Sequence, residues 1–153
     1  MGSAPGFVFA FEVVAQVGPP LVVGPGPRGI RRIVPILEGT FEGPELKGRV
    51  LPGGADWQII HPDGFSELDT RYTLETDSGD LIYVQNRGIR HAAAEVMARL
   101  LAGEPVDASQ VYFRTTPTFE TAAPRLQWLT RSIFVGTGER QPQTVTIRFW
   151  RMT

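Results

Sequence analysis

A chain of 153 residues, 42% hydrophobic and 20% charged, has the composition of an ordinary globular protein and the length of one domain with its own core. Its formal net charge of −1 argues against a nucleic-acid protein, which carries a clear basic excess. With no cysteine, disulfides, thiolate metal sites and cysteine nucleophiles are excluded.

The start of the chain, Met1-Gly2-Ser3-Ala4-Pro5-Gly6, lacks the basic and apolar regions of a signal peptide. No run approaches the roughly 18 apolar residues of a spanning helix. A single domain over residues 1–153 is expected, with residues 1–6 as a disordered tail, in the cytoplasm and away from membranes.

Glycine and proline punctuate short apolar runs of period near two. Phe7 to Val14 reads as a first strand, with Phe7, Phe9 and Phe11 on one face. Gly18 to Gly29 reads as a loop, and Ile33 to Phe41 as a second strand. Leu46 to Leu51 is a short third strand, and Asp56 to His61, between Pro52-Gly53-Gly54 and Pro62-Asp63-Gly64, a fourth.

Ser66 to Thr76 and Asp80 to Arg87 form a hairpin through the three-residue loop Asp77-Ser78-Gly79, with glycine where a positive φ is needed. The period then changes, and His91 to Leu101 reads as a helix stopped by Gly103. Strands resume at Val111 to Phe119, Leu126 to Thr137 and Thr144 to Met152. About nine strands and one short helix predict an all-β fold, a single small antiparallel barrel that removes exposed edges by closing.

Several motifs carry little. Gly24-Pro25-Gly26-Pro27-Arg28-Gly29 matches G-x-G-x-x-G, but its prolines and the strand-like Ile30 to Val34 deny it the helix start that binds a pyrophosphate. His61 and His91 have no partner at metal-ligand spacing, so no metal site is expected. The nucleophile elbow G-x-S-x-G is absent.

Polar residues within otherwise apolar strands carry more: Asp56, Asp69, Arg71, Asn86, Arg114 and Arg131, with Trp57 and Tyr72 beside them. A charge buried without a partner costs several kcal/mol. Either these groups face solvent outside a barrel, with ion pairs such as Asp69 to Arg71 or Arg114, or they face a wet cavity with apolar walls and a few oriented polar groups.

The chain resembles the UPF0311 family, also called DUF3237. The matching segments include Gly39-Thr40-Phe41-Glu42-Gly43-Pro44, Leu51-Pro52-Gly53-Gly54-Ala55-Asp56-Trp57, Leu68-Asp69-Thr70-Arg71-Tyr72, Asn86-Arg87-Gly88, Tyr112-Phe113-Arg114-Thr115 and Trp128-Leu129. The resemblance implies a β-barrel of about this length and highlights Asp56, Trp57, Asp69, Arg71, Tyr83, Asn86, Arg114, Glu120 and Trp128.

The expected function is a small-molecule-binding barrel, as a cofactor-free isomerase, cyclase or hydro-lyase acting on a small aromatic or cyclic metabolite. Asp56 or Asp69 would be the general base, and Arg71 or Arg114 would stabilise an oxyanion. Asn86 and Tyr83 would orient the ligand, Trp57 and Trp128 would form apolar walls, and Glu120 completes the binding set. A non-catalytic ligand-binding barrel and a self-associating structural module are the alternatives. Apolar residues on both faces of Phe7 to Val14 and of Ile133 to Val135 point to a homo-oligomer.

Overall fold

Alternation of inward apolar and outward polar side chains repeats along ten strands that form one sheet, and that sheet curls until its first and last strands meet. The computed structural model describes residues 2–153; Met1, part of the expected tail, lies outside the described residues. The strands are β1 (Phe7–Val17), β2 (Leu21–Gly26), β3 (Gly29–Glu42), β4 (Lys47–Val50), β5 (Gly54–Ile60), β6 (Ser66–Thr76), β7 (Leu81–His91), β8 (Tyr112–Thr121), β9 (Phe134–Arg140) and β10 (Thr144–Met152). A helix α1 (Ala94–Leu101) and two short 3₁₀ helices, Ala108–Gln110 and Pro124–Leu129, complete the order.

All pairings are antiparallel, and β1 closes the ring by pairing with both β10 and β3. β4 and β5 share one place in the wall. β4 lies between Gly39–Glu42 of β3 and the end of β6, and β5 between Ile30–Ile36 of β3 and the start of β6. The ring is thus eight strands around. β2 stands outside it and, among the described residues, pairs only with the start of β3. At the chain's two ends Phe7 faces Met152, and Thr153 N–H donates to the Gly6 carbonyl at 2.9 Å.

One end of the barrel is filled. Phe11 packs against Phe41, Phe119 and Phe149 with ring centroids 6.0, 5.6 and 4.9 Å away. Leu126 and Leu129 of the second 3₁₀ helix close over them. The opposite end carries α1, whose Val96, Met97 and Leu100 are buried.

The antiparallel barrel and its single short α-helix match expectation, and the 77–79 hairpin forms with Gly79 at φ 88°. Four details differ. Residues expected as loop from Gly18 to Gly29 contain β2 and its turn into β3. Leu21-Val22-Val23 favours strand, and Pro25 lies on an edge strand, where a missing N–H costs no ladder bond. The expected strand Leu126 to Thr137 begins only at Phe134. Pro124 opens a 3₁₀ helix, in which the three-residue spacing puts Leu126 and Leu129 on one face. Phe7, Phe9 and Phe11 do not share a face. A register shift at Ala10 sends Phe11 into the core and leaves Phe9 edge-on to the Trp150 ring, 5.5 Å away. The helix starts at Ala94, not His91, because β7 stays paired with β8 as far as His91 opposite Tyr112.

Among the described residues no helix is long and apolar enough to cross a membrane.

Candidate functional site

Successive side chains of a strand point to opposite faces, so one secure inward residue fixes the rest. Leu74 is fully buried in the core, which places Tyr72 and Thr70 inward on β6. Ile82 does the same for Val84, Asn86 and Arg90 on β7, and Phe119 for Thr115 and Phe113 on β8. On β5 the inward pair is Asp56 and Gln58.

Ladder register sets these residues side by side. Val34, Asp56, Thr70 and Asn86 face one another in turn across β3, β5, β6 and β7. Gly54, one inward step from Asp56, lies against Tyr72: a Cβ there would stand 2.6 Å from the Tyr72 Cβ.

These side chains line a small internal cavity of about 50 Å³, above the aromatic core. That is room for a few waters or one small polar group. Val17 and Arg140 line both this cavity and a wider groove of about 540 Å³ at the mouth of the barrel. Pro19, Pro20, Leu37, Leu100 and Pro142 form the apolar wall of that groove, and Arg32 reaches into it.

The electrostatics of the chamber are lopsided. Burial raises the pKa of Asp56. A hydrogen bond donated by Gln58 Nε2 to Asp56 Oδ2 (2.8 Å), the Arg90 charge and the Thr70 hydroxyl oppose that rise without cancelling it. Burial pulls Arg90 down to about 10, with Asp56 opposing, so its guanidinium still carries its charge at neutral pH. Burial likewise lowers Arg32 and Arg140, and it raises the Tyr72 phenol.

Arg90 is only 2% exposed, yet it makes no ion pair within 4 Å among the described residues. Its guanidinium carbon lies 5.7 Å from the Phe113 ring centroid. Arg32 Nη1 donates to the Leu101 carbonyl at 3.3 Å, and Arg140 Nη1 to the Gln141 carbonyl at 2.7 Å.

Seven buried side-chain polar atoms lack a hydrogen-bond partner among the described residues, and all seven belong to this region. Six lie on residues lining the cavity: Asp56 Oδ1, Gln58 Oε1, Tyr72 Oη, Asn86 Oδ1, Arg90 Nε and Thr115 Oγ1. The seventh is Arg32 Nε at the mouth. Native interiors pair such groups, so a cluster of unpaired ones around one hollow marks a place where solvent or a ligand supplies the partners.

The structure brings two of the sequence-derived site residues, Asp56 and Asn86, to this cavity. Asp69, Arg71, Trp57, Tyr83, Arg114 and Glu120 lie on the outer face, because each occupies the opposite parity to an inward neighbour. There Asp69 accepts from Arg71 Nη2 at 3.1 Å and lies 3.8 Å from Arg87 Nε. Partial burial raises the Asp69 pKa, but the Arg71 hydrogen bond and the two arginine charges outweigh it and hold the carboxyl below its usual range. The Arg114 guanidinium sits 5.3 Å from the Tyr112 ring centroid. Trp128 is at the filled end, on the 3₁₀ helix, beneath Arg151 and beside Phe134. Asp56 therefore does not meet Arg71 or Arg114, the arginines expected to stabilise an oxyanion; the arginines near Asp56 are Arg32, Arg90 and Arg140. Tyr72, singled out beside Arg71 in the sequence, also lines the cavity, whereas Gln58, Thr70, Thr115 and these three arginines are not among the sequence-derived site residues. Counting parity outward from Leu74, Ile82 and Phe119 finds three of them: Thr70, Arg90 and Thr115.

Fold and site together define a closed antiparallel β-barrel with a polar chamber above an aromatic core, opening at one end. The chain belongs to the DUF3237 family: the family model, described as a protein of unknown function, matches residues 5–152. A UPF0311 protein of Rhodopseudomonas palustris is 45% identical over 139 residues, 91% of each chain. One of Clostridium acetobutylicum is 40% identical over 144 residues, 94% of this chain and 91% of that one. Among solved structures, a conserved protein of unknown function from R. palustris superposes with a TM-score of 0.95 at 40% identity, covering 99% of this chain and 100% of that one. A β-barrel-like protein of Acinetobacter baumannii superposes at 0.85 with 39% identity and full coverage of both chains. An enzyme of Penicillium herquei shares the fold at a TM-score of 0.72 and 20% identity, again with full coverage of both chains.

Proposed function

We propose that this chain binds a small molecule at the mouth of the barrel, with one compact polar group of it in the inner cavity, and acts on it as a cofactor-free acid–base enzyme of the isomerase, cyclase or hydro-lyase type. The observation that carries the reading is the gathering of the unpaired buried polar atoms around one cavity. Asp56, kept from ionising easily by burial, is the proton-transfer group. Arg90 faces the same space as a charged donor for oxyanion character that develops on the substrate. Asn86, Gln58, Tyr72 and Thr115 offer directed hydrogen bonds that orient it. The shared fold of the P. herquei enzyme is compatible with catalysis on this scaffold, though fold alone assigns no chemistry.

The test is a ligand-observed NMR screen of small aromatic and cyclic metabolites against the wild type and Asp56→Asn. The reading expects at least one compound to be turned over by the wild type and to be bound but unchanged by the variant. Binding without turnover in either protein makes the barrel a carrier. If no compound binds, the chamber is structural and the proposal fails.

A further inference from the structure

The charges of the chamber and the walls of its mouth select different parts of one molecule. Three guanidiniums, those of Arg32, Arg90 and Arg140, act on the region of a single carboxyl, Asp56. Among the described residues no other acidic side chain lines the cavity or the mouth groove. The chain as a whole carries a net charge of −1, so this local cationic surplus is a property of the site and not of the composition. The surplus is built in: Arg90 is 2% exposed, and the Nε–H donors of Arg90 and Arg32 have no partner among the described residues, while the unpaired Asn86 and Gln58 atoms are acceptor oxygens that a hydroxyl or water beside the head would satisfy. Just outside, the groove turns apolar, with Pro19, Pro20, Leu37, Leu100 and Pro142 facing the same space as Arg32 and Arg140.

Resting on the binding reading above, we infer that the ligand is an amphiphilic anion. Its compact head, a carboxylate or an enolate-like oxyanion, enters the inner cavity among Arg90, Arg140 and Asn86, and its apolar body lies in the mouth groove against Leu37, Leu100 and Pro142. The inner cavity, about 50 Å³, suits a head of a few atoms, and the groove, about 540 Å³, suits a ring or short chain. Charge-assisted hydrogen bonds to buried guanidinium groups are the strong class of such bonds, and at Arg90 Nε such a bond supplies the partner this group lacks. A cation in the same place would meet three like charges.

Binding of the anion also favours a proton on Asp56, since a second negative charge enters its surroundings. The charged or titratable groups facing Asp56 are Arg32, Arg90 and Arg140, with Tyr72 in the same cavity. The arginines keep their charge at neutral pH and burial keeps the Tyr72 phenol protonated, so the proton taken up is assigned to Asp56.

The experiment is titration calorimetry with 4-phenylbutanoate, 4-phenylbutanamide, 4-phenylbutylamine and acetate, in buffers of different ionisation enthalpy. The anion is expected to bind at least about tenfold more tightly than the amide, and the amine to give no signal. Proton uptake should accompany anion binding in the wild type and vanish in Asp56→Asn. Arg90→Gln should bring the anion down to the level of the amide. Leu37→Asp, at an exposed position, should weaken 4-phenylbutanoate while leaving acetate as weak as before. Equal affinity for anion and amide, or preference for the amine, overturns the inference while leaving the binding function intact. Failure of all four probes, together with binding of a neutral metabolite in the NMR screen, also overturns it. Failure of every compound in both experiments removes the binding function itself.

Discussion

Arg90 and Asp56 occupy one enclosed space without a direct ion pair, and that arrangement has a thermodynamic signature. Asp56 has a raised pKa, so the folded state holds its proton more tightly than the unfolded chain does. Its protonation therefore contributes stability that is fully present below the unfolded carboxylate value of about 4 and is lost as pH rises through the folded value. Asp56→Asn keeps an acceptor for Gln58 and removes the titration. The variant should unfold at higher denaturant than the wild type at pH 8, with the gap closing toward pH 4; parallel midpoints across that range would show that Asp56 titrates as an exposed carboxyl. Arg90→Met is a companion measurement. A guanidinium buried for structural pairing would cost about 3–5 kcal/mol when removed, whereas one held ready for a ligand leaves stability level or improved. The second outcome is expected here, in urea unfolding. Arg71→Ala, on the outer face, should leave both the unfolding midpoint and ligand binding unchanged. Side-chain parity explains why the site was only half legible in the sequence: Asp56 and Asn86 stood out as polar residues in apolar strands, but so did Asp69, Arg71 and Arg114, and only the ladder distinguishes inner from outer.

At the level of elements, the two ends of the barrel do different work. The 3₁₀ helix Pro124–Leu129 inserts Leu126 and Leu129 into the aromatic core, far along the strands from Arg90. Leu126→Ala should destabilise the fold by about 2–5 kcal/mol, the usual cost of a large-to-small change in a filled core. Ligand affinity under native conditions should stay the same; a parallel loss of affinity in calorimetry would mean that the chamber depends on the plug. Strand existence was largely readable from period-two patterning, as in β6 and β7 with their Asp77-Ser78-Gly79 turn. The failures came where a local rule overrode the pattern. Pro124 began a 3₁₀ helix within apparent strand, the bulge at Ala10 reversed the facing of Phe9, and the proline-rich composition of 18–29 hid an edge strand. The first two departures are short, a single turn or two of 3₁₀ helix and one bulged residue, so too few residues break the alternation for periodicity to reveal them.

For the molecule as a whole, the arm formed by β2 and the start of β3 is the feature that a lone barrel does not explain. Leu21, Val22 and Val23 are 63%, 58% and 65% exposed, and the outer edge of β2 has no ladder partner among the described residues. The strand carries no charged residue to blunt that edge. We propose that a second copy of the chain covers it, since antiparallel pairing of β2 with its own copy is self-complementary under a two-fold axis. Light scattering after gel filtration should give at least a dimer for the wild type, and Val22→Lys should shift it toward monomer with the circular dichroism spectrum unchanged. A monomeric wild type at micromolar concentration would remove this role from the arm.

The hydrogen bond between Thr153 and Gly6 has a consequence for how the ring could be assembled. A short peptide splicing those two residues, with the chain reopened at Ser78, would give a circular permutant whose terminal strands are β7 and β6. The Glu12–Arg148 contact, now 136 residues apart along the chain, would become a local one, and the tight 77–79 hairpin would become the last seam to be sewn. The same architecture should emerge by a different order of events, with folding kinetics that change while the equilibrium spectrum does not.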